Sequence, residues 1–383
     1  MIADHIFVYF ECFALGGVER SALRHMREWV AAGRRVTLFV GANEGPLTAE
    51  LPDGVELIVG KVHSYIGMFR PVIAAVRRLK PDAIFVPGNR YTSIAMATSL
   101  VLGRGCPPMV VKISNSFVRA DYAPMKAWSY RLFVRAKPKF FAHFVALSAA
   151  MRDEAIEVAR FPALQVSVIA DPVISSLVVA LKESGPPRLV TVGRMVEQKR
   201  LDLLIRAFAR IPASLDARLD LVGDGPEQDN VEAAIAECGV GKRVTLHGYL
   251  ADPAPIIARA QALVLSSAYE GLPAVIPEAF AAGTPVVTTA SSSSLPALID
   301  DPRLGTIVPL DDVDALAAAM AERLAGEPAR GWIKARSLGA GWPKAATAYL
   351  AVFDAAVTAR ADRRGPVTAH PSTATSQLPL SAG

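Results

Sequence analysis

A chain of 383 residues is longer than one hydrophobic core comfortably holds, so two domains are expected. With 52% hydrophobic, 20% charged and only 7% aromatic residues, the composition suits a well-packed soluble protein whose aliphatic sheets are covered by helices. Cys12, Cys106 and Cys238 lie far apart without metal-ligand spacing, which excludes a disulfide framework or a zinc site and suits a reducing, cytoplasmic compartment. The opening residues lack a basic region and Glu11 interrupts their apolar run, so they read as a buried strand, not a signal peptide. No uncharged stretch reaches the roughly 18 apolar residues of a spanning helix, so any membrane contact is expected to be peripheral.

In chain order, HIFVYF predicts a first strand. A loop through Gly16 and Gly17 leads to an amphipathic helix that ends at Gly33, before the strand RRVTLFVG. The alternation continues with VELIVG, the helix PVIAAVRRLK, then DAIFVPG, MVVKIS and HFVALS. Strands alternating with helices predict a parallel sheet with right-handed crossovers over residues 1–170. After a connection at 171–186, a second pass over 187–340 repeats the pattern: RLVTVG, LDLVGDG, VTLHGY, ALVLSS, TPVVTT and GTIVPL, separated by helices. Residues 342–358 predict a last helix. Residues 361–383, rich in Ser, Thr, Pro and Ala and including His370, predict a disordered tail.

Charge is unevenly placed. Residues 1–170 carry 21 Lys/Arg against 13 Asp/Glu, and the remainder 20 against 23, so the first half is suited to an anionic partner. Within it, residues 117–140 interleave Arg119, Lys126, Arg131, Arg135, Lys137 and Lys139 with Phe117, Tyr122, Trp128, Tyr130 and Phe133, and Asp121 is the only acid. That pattern fits either an anionic bilayer surface or a core helix whose cations face water. No nucleic-acid module accompanies it, and nucleic acid is not an expected partner.

The chemistry concentrates in the second half. After ALVLSS comes Tyr269-Glu270-Gly271-Leu272-Pro273, with Glu278 eight residues beyond Glu270 and Gly283 at the end of the ensuing helix. Ligands of open α/β sheets bind at the carboxyl edge of the strands, where Glu270 belongs. Glu278 lies a turn inside the helix, so both carboxylates are expected to face one cleft, with the free N–H groups of Gly271 and Leu272 between them. The plain alternative is a solvated loop acid and a helix-dipole acid. At the first strand end of this half, Gly193 precedes Arg194 and Lys199, two cations on one loop that could offset a departing diphosphate. Gly16-Gly17 permits close backbone approach to a ligand, and Gly223-Asp224-Gly225 reads equally as a plain turn or as part of a site. Neither matches a dinucleotide fingerprint or a phosphate loop.

These motifs together resemble glycosyltransferase family 4, retaining enzymes of GT-B fold, over residues 5–358. The resemblance implies two Rossmann-like domains facing a cleft, with the last helix crossing back to the first domain. It implies a nucleotide diphosphate sugar (UDP- or GDP-linked) as donor and no metal or other cofactor. If segment 117–140 docks on a membrane, the acceptor is expected to be a lipid-linked or surface-polysaccharide glycan. Arg194 and Lys199 would hold the diphosphate. Glu270, with the amides of Gly271 and Leu272 beside Pro273, would contact the transferred hexose, and Glu278 the ribose. Tyr249 would lie near the nucleobase, and Gly16, Gly17 and Gly193 against the donor. Two departures stand out: Asn115 and Ser116 follow VVKIS where many members carry a His, and Ser291 to Ser294 replace a glycine pair and an acid.

Alternatives from other classes are a glycosidase and a silent nucleotide-sugar-binding subunit of a glycan-assembly complex. A glycosidase must protonate an alkoxide, whereas a diphosphate leaves unprotonated, which is what the Arg194 and Lys199 pair suits. The match Asp312-Val313-Asp314 to a metal-binding D-x-D is expected to be a helix cap, and His143 and His247 to be hydrogen-bonded strand residues.

Overall fold

The computed structural model describes residues 2–14, 16–118, 122–171, 185–337 and 342–364. The disposition of Arg119, Asp121, most of the 171–186 connection and His370 lies outside those residues.

Strands buried on both faces are apolar throughout, and their alternating side chains feed two different cores. In β1 (His5–Phe10), Phe7 and Tyr9 enter one apolar cluster while Ile6, Val8 and Phe10 enter the other. Around β1 form β2 (Arg35–Val40), β3 (Val55–Val59), β4 (Ala83–Val86), β5 (Met109–Lys112), β6 (His143–Ala146) and β7 (Val166–Val168). All pair in parallel, in the order β3-β2-β1-β4-β5-β6-β7. The second sheet comprises β8 (Arg188–Val192), β9 (Arg218–Val222), β10 (Val244–Leu246), β11 (Ala262–Leu265), β12 (Val286–Thr289) and β13 (Gly305–Val308). Its order is β10-β9-β8-β11-β12-β13, again all parallel. Leu189 and Val190 on β8 fall into opposite clusters, the same two-faced pattern.

In each sheet the chain order reverses beside the first strand, between β1 and β4 and between β8 and β11. A crevice opens at such a switch point outside the carboxyl ends of the strands, and it fixes where a ligand can sit. The loops after β1, β5, β8 and β11 all converge there.

The helix Gly17–Ala31 buries Ala22, Leu23, Met26 and Trp29 and caps the first sheet. The last helix, Trp342–Arg364, packs on it: Phe353 meets the Trp29 ring edge-on at 5.2 Å, and Tyr349 and Phe353 are both buried in the first domain's core. This helix runs to Arg364, so residues 361–364 belong to it and not to a disordered tail. Its register continues because Ala361, Asp362 and Arg363 carry no break.

The helix Pro124–Ala136 behaves differently. Only Val134 is buried, while Met125 (82% exposed), Trp128 (64%) and Leu132 (48%) line up at i, i+3 and i+7 on the surface. It is therefore not a core helix with cations turned outward, because its apolar stripe faces outward too. Between 122 and 140 no acid accompanies Lys126, Arg131, Arg135 and Lys139. Lys137 leaves the basic set: it is buried, its ammonium lies 5.2 Å from the Phe133 ring centre, and burial pulls its pKa down to about 8.

Candidate active site

At the carboxyl end of β8 the backbone turns sharply at Gly193, whose φ of +155° few side chains tolerate. A Cβ there would touch the Lys199 Cε at 3.4 Å, so the glycine lies directly beneath the lysine side chain. Gly223-Asp224-Gly225 buttresses this turn from behind. Gly193 N–H donates to Val222 O at 3.0 Å and Met195 N–H to Asp224 O at 2.6 Å, while a Cβ on Gly223 would strike the Gly193 carbonyl. Those glycines thus shape the loop that carries Arg194.

Lys199 ends a short 3-10 turn, Glu197–Lys199, and donates to Glu270 Oε1 at 2.6 Å. Ser267 Oγ donates to the same oxygen at 2.8 Å, and Glu270 itself is only 7% exposed. The two loops are bolted together around this pair. Gln198 Nε2 reaches Tyr269 O at 2.6 Å, Ala268 N–H reaches Gln198 O at 2.9 Å and Ser266 Oγ reaches Lys199 O at 2.7 Å. Gly193, Arg194 and Lys199 line one small cavity with Ser266 and Ser267, and Arg194 is exposed. The spacing of Gly193, Arg194 and Lys199 foretold this grouping. Ser267 and Gln198 went unnoticed because a serine or glutamine in a loop carries no distinguishing pattern.

Across the crevice, the loop after β5 meets this structure closely. A Cβ on Gly271 would collide with the Ser114 carbonyl and lie 3.0 Å from the Asn115 Cα, so only glycine lets the two loops approach. Leu272 packs against the first domain's core, and Pro273 is buried. Asn115 O accepts from Asn89 Nδ2 at 3.1 Å, which fixes its loop. Gly17 begins its helix with a Cβ position 3.9 Å from Ala274, while a Cβ on Gly16 would run into the Glu19 carboxylate. The glycine pair therefore faces the segment that follows Glu270.

Glu278 stands elsewhere. It lines a cavity of about 320 Å³ between the domains, walled by Arg20, Arg24, Arg27 and Glu50 of the first and by Asp252 and Pro253 of the second. Burial pushes its carboxyl above the ordinary 4.5, against the opposing pull of Arg24 and Arg20. Arg20 of this cavity donates to the Tyr249 hydroxyl at 3.3 Å and pairs with Glu50 at 2.9 Å. Glu270 and Glu278 thus differ in what surrounds them: Glu270 is neutralised within its own domain, Glu278 by cations of the other. The arginines were missed, since Arg20, Arg24 and Arg27 read as the polar stripe of an amphipathic helix.

Three other expectations resolve simply. Asp312 caps its helix by accepting from Ala315 N–H at 2.9 Å, His247 pairs with buried Asp220 at 2.8 Å, and His143 bonds Ser167 at 3.0 Å. Among the described residues no three His, Cys, Asp or Glu gather as a metal site, and no helix is long and apolar enough to cross a membrane. At the end of the first domain Lys112, buried in an apolar strand, donates to Asp171 at 2.8 Å and Ser21 at 2.7 Å, and His25 joins Asp171 at 3.0 Å. Burial raises the Asp171 pKa, but Lys112 and His25 outweigh it and hold the carboxyl well below the usual range. A lysine inside MVVKIS was the one signal of this anchor beside the interdomain connection.

Two family models match the chain in tandem: a glycosyl transferase 4-like domain over residues 16–172 and glycosyl transferases group 1 over residues 186–325. The lipopolysaccharide core biosynthesis glycosyltransferase LpsE of Rhizobium meliloti is 36% identical over 144 residues, 38% of this chain and 41% of that protein. A GDP-mannose-dependent alpha-(1-6)-phosphatidylinositol monomannoside mannosyltransferase of Mycolicibacterium smegmatis is 32% identical over 151 residues, 36% of this chain and 39% of that protein. The matched stretches thus span about two fifths of these relatives' length. The crystal structure of Anabaena Alr3699/HepE in complex with UDP and glucose superimposes with a TM-score of 0.67 at 19% identity, covering 94% of this chain and 98% of that one. With its halves matched in that order on two facing Rossmann-like sheets, the chain belongs to the glycosyltransferases of GT-B fold.

Proposed function

We propose that the chain moves a hexose-type sugar from a UDP- or GDP-linked donor to a lipid-linked or surface-polysaccharide glycan, with retention of configuration and without a metal. The observation that carries this reading is the Lys199–Glu270 pair at the switch point, beside Gly193 and Arg194. Arg194 and Lys199 take the diphosphate, and their charges offset the one that grows as the glycosidic bond breaks. A diphosphate departs without a proton, so no general acid is required of the protein. Lys199 exchanges Glu270 for phosphate oxygens, which frees the carboxylate to accept from hydroxyls of the transferred sugar. The amides of Gly271 and Leu272 lie beside it for the sugar's oxygens. Glu278 accepts from the ribose and Tyr249 flanks the base, so the nucleoside fills the 320 Å³ cavity. Two relatives, a GDP-mannose-dependent mannosyltransferase and a structure holding UDP and glucose, support this donor class.

Donor turnover by the purified chain with a panel of nucleotide sugars and acceptors tests the reading. Product with the donor's anomeric configuration, formed equally in EDTA, is the expected result. Nucleotide binding without turnover on any acceptor would instead identify a silent subunit, and loss in EDTA with rescue by Mn²⁺ would overturn the metal-free reading.

A lipid-borne acceptor calls for access to a membrane surface. Exposed Met125, Trp128 and Leu132, flanked by Lys126, Arg131 and Arg135, support docking of the first domain on an anionic cytoplasmic leaflet. Co-sedimentation with vesicles containing anionic lipid should weaken with salt and fall when the three cations become Glu. Equal binding to neutral vesicles, or to none, contradicts it.

A further inference from the structure

Four consecutive serines, Ser291 to Ser294, follow β12, and the transfer reading leaves them without a task. Each nevertheless has a definite neighbour. Ser291 O accepts from Glu270 N–H at 2.7 Å, and Ser292 Oγ donates to Gly271 O, so this loop supports the sugar-side loop of its own domain. Ser293 Oγ reaches across to Glu154 Oε2 at 2.9 Å, and Ser294 Oγ to Ser148 Oγ at 2.8 Å, both in the first domain.

Glu154 lies on the helix Ala149–Glu157 and is 9% exposed. Its other oxygen accepts from Ser116 Oγ at 2.6 Å, Phe117 N–H at 2.5 Å and Val118 N–H at 3.1 Å. These donors, with Ser293, are all neutral. A buried carboxylate held by neutral donors depends on their number, and one of the four belongs to the other domain. Separating the domains removes the donor to Oε2, so this carboxylate is best satisfied when the two loops meet.

We propose that Glu154 is a positioning residue for glycosyl transfer: by joining residues 116–118 to the serine loop, it holds Asn115 against Gly271 when the domains close. This rests on the transferase reading of the site. The series runs without a gap from Glu270 and Gly271 through Ser291, Ser292 and Ser293 to Glu154, then to the loop carrying Ser114 and Asn115, which abuts Gly271. Closure thereby sets the acceptor side and the sugar side in one register, apart from the nucleoside cavity around Glu278.

Ser293→Ala deletes the cross-domain bond to Glu154 and leaves the three bonds to Oε1 and the Ser294–Ser148 bond in place. A charge-assisted hydrogen bond of this kind should carry about tenfold in kcat, with nucleotide affinity by calorimetry unchanged within about twofold. Ser293→Thr, which keeps the hydroxyl, should restore kcat, and Glu154→Ala should lose more than Ser293→Ala if it folds. By small-angle scattering, Ser293→Ala should be less compact than the wild type with UDP or GDP present. Wild-type kcat in Ser293→Ala, or a loss of nucleotide affinity in step with kcat, overturns the proposal. If the wild type neither binds nucleotide nor turns over, the transferase reading has failed; the scattering comparison, made without nucleotide, then still decides whether the latch exists, and equal compactness sinks it.

Discussion

Glu270 and Glu278 stand on one continuous segment, the loop after β11 and the helix Val275–Ala281, yet in different surroundings. Glu270 meets Lys199 and Ser267, both from its own domain and both fastened by loop-to-loop hydrogen bonds. Glu278 meets Arg24 and Arg20, carried on a helix of the other domain. The first carboxylate therefore has its charge partner within one domain, while the second takes its cations from the other. On the proposed reading, the phosphate and sugar end is assembled within one domain, and the nucleoside end is shared between the two.

The largest effect expected of that contrast is at the end assembled within one domain. Lys199→Ala and Arg194→Ala should each lower turnover by one to three decades, at about 1.4 kcal/mol per decade. Near-wild-type rates in both variants would remove the diphosphate from this loop.

Next comes the cavity around Glu278. Glu278→Ala should weaken donor binding by about tenfold and leave kcat nearly unchanged, because ribose contacts exist equally in the ground and transition states. A defect confined to kcat, at unchanged donor affinity, contradicts the ribose role.

A pH series sharpens the comparison further. Burial raises the Glu278 pKa, and Arg24 and Arg20 oppose that rise while Asp252 and Glu50 add to it. Nucleotide affinity should decline as pH falls through this raised value, since a protonated carboxyl accepts less well. Fold stability runs the other way: over the window between 4.5 and the raised pKa the native state holds the extra proton, so stability falls as pH rises. Arg24→Met removes a cation that favours the ionised form and should move the affinity midpoint to higher pH. Calorimetric titration of UDP and GDP across pH measures it, and an unmoved midpoint would sever Arg24 from Glu278.

The smallest effect belongs to Tyr249→Phe. Its bond from Arg20 is long, at 3.3 Å, and partly exposed, so its loss should cost about 0.5 kcal/mol of stability in thermal unfolding. A much larger loss would make Tyr249 a principal interdomain tie.

Strands buried on both faces announced themselves as apolar runs, which is why HIFVYF and ALVLSS were readable. The helix Thr92–Leu102, the helix Ala149–Glu157 and β7 were not. The first is apolar almost all round and lacks a contrasting face, the second presents no apolar stripe, and β7 is only three residues long. Glu154 was invisible for that reason, although it is the most heavily hydrogen-bonded acid of the crevice.

What the sequence by itself determined was the set of residue types at strand ends: a glycine and two cations after β8, a glutamate and a glycine after β11, a glycine pair after β1. Local spacing encodes these because each loop is contiguous in the chain. Only the tertiary structure decided which domain neutralises which carboxylate, and that a run of serines spans the crevice to Glu154. Those contacts depend on how two separately folded sheets dock, and neither periodicity nor spacing within either sheet carries that information.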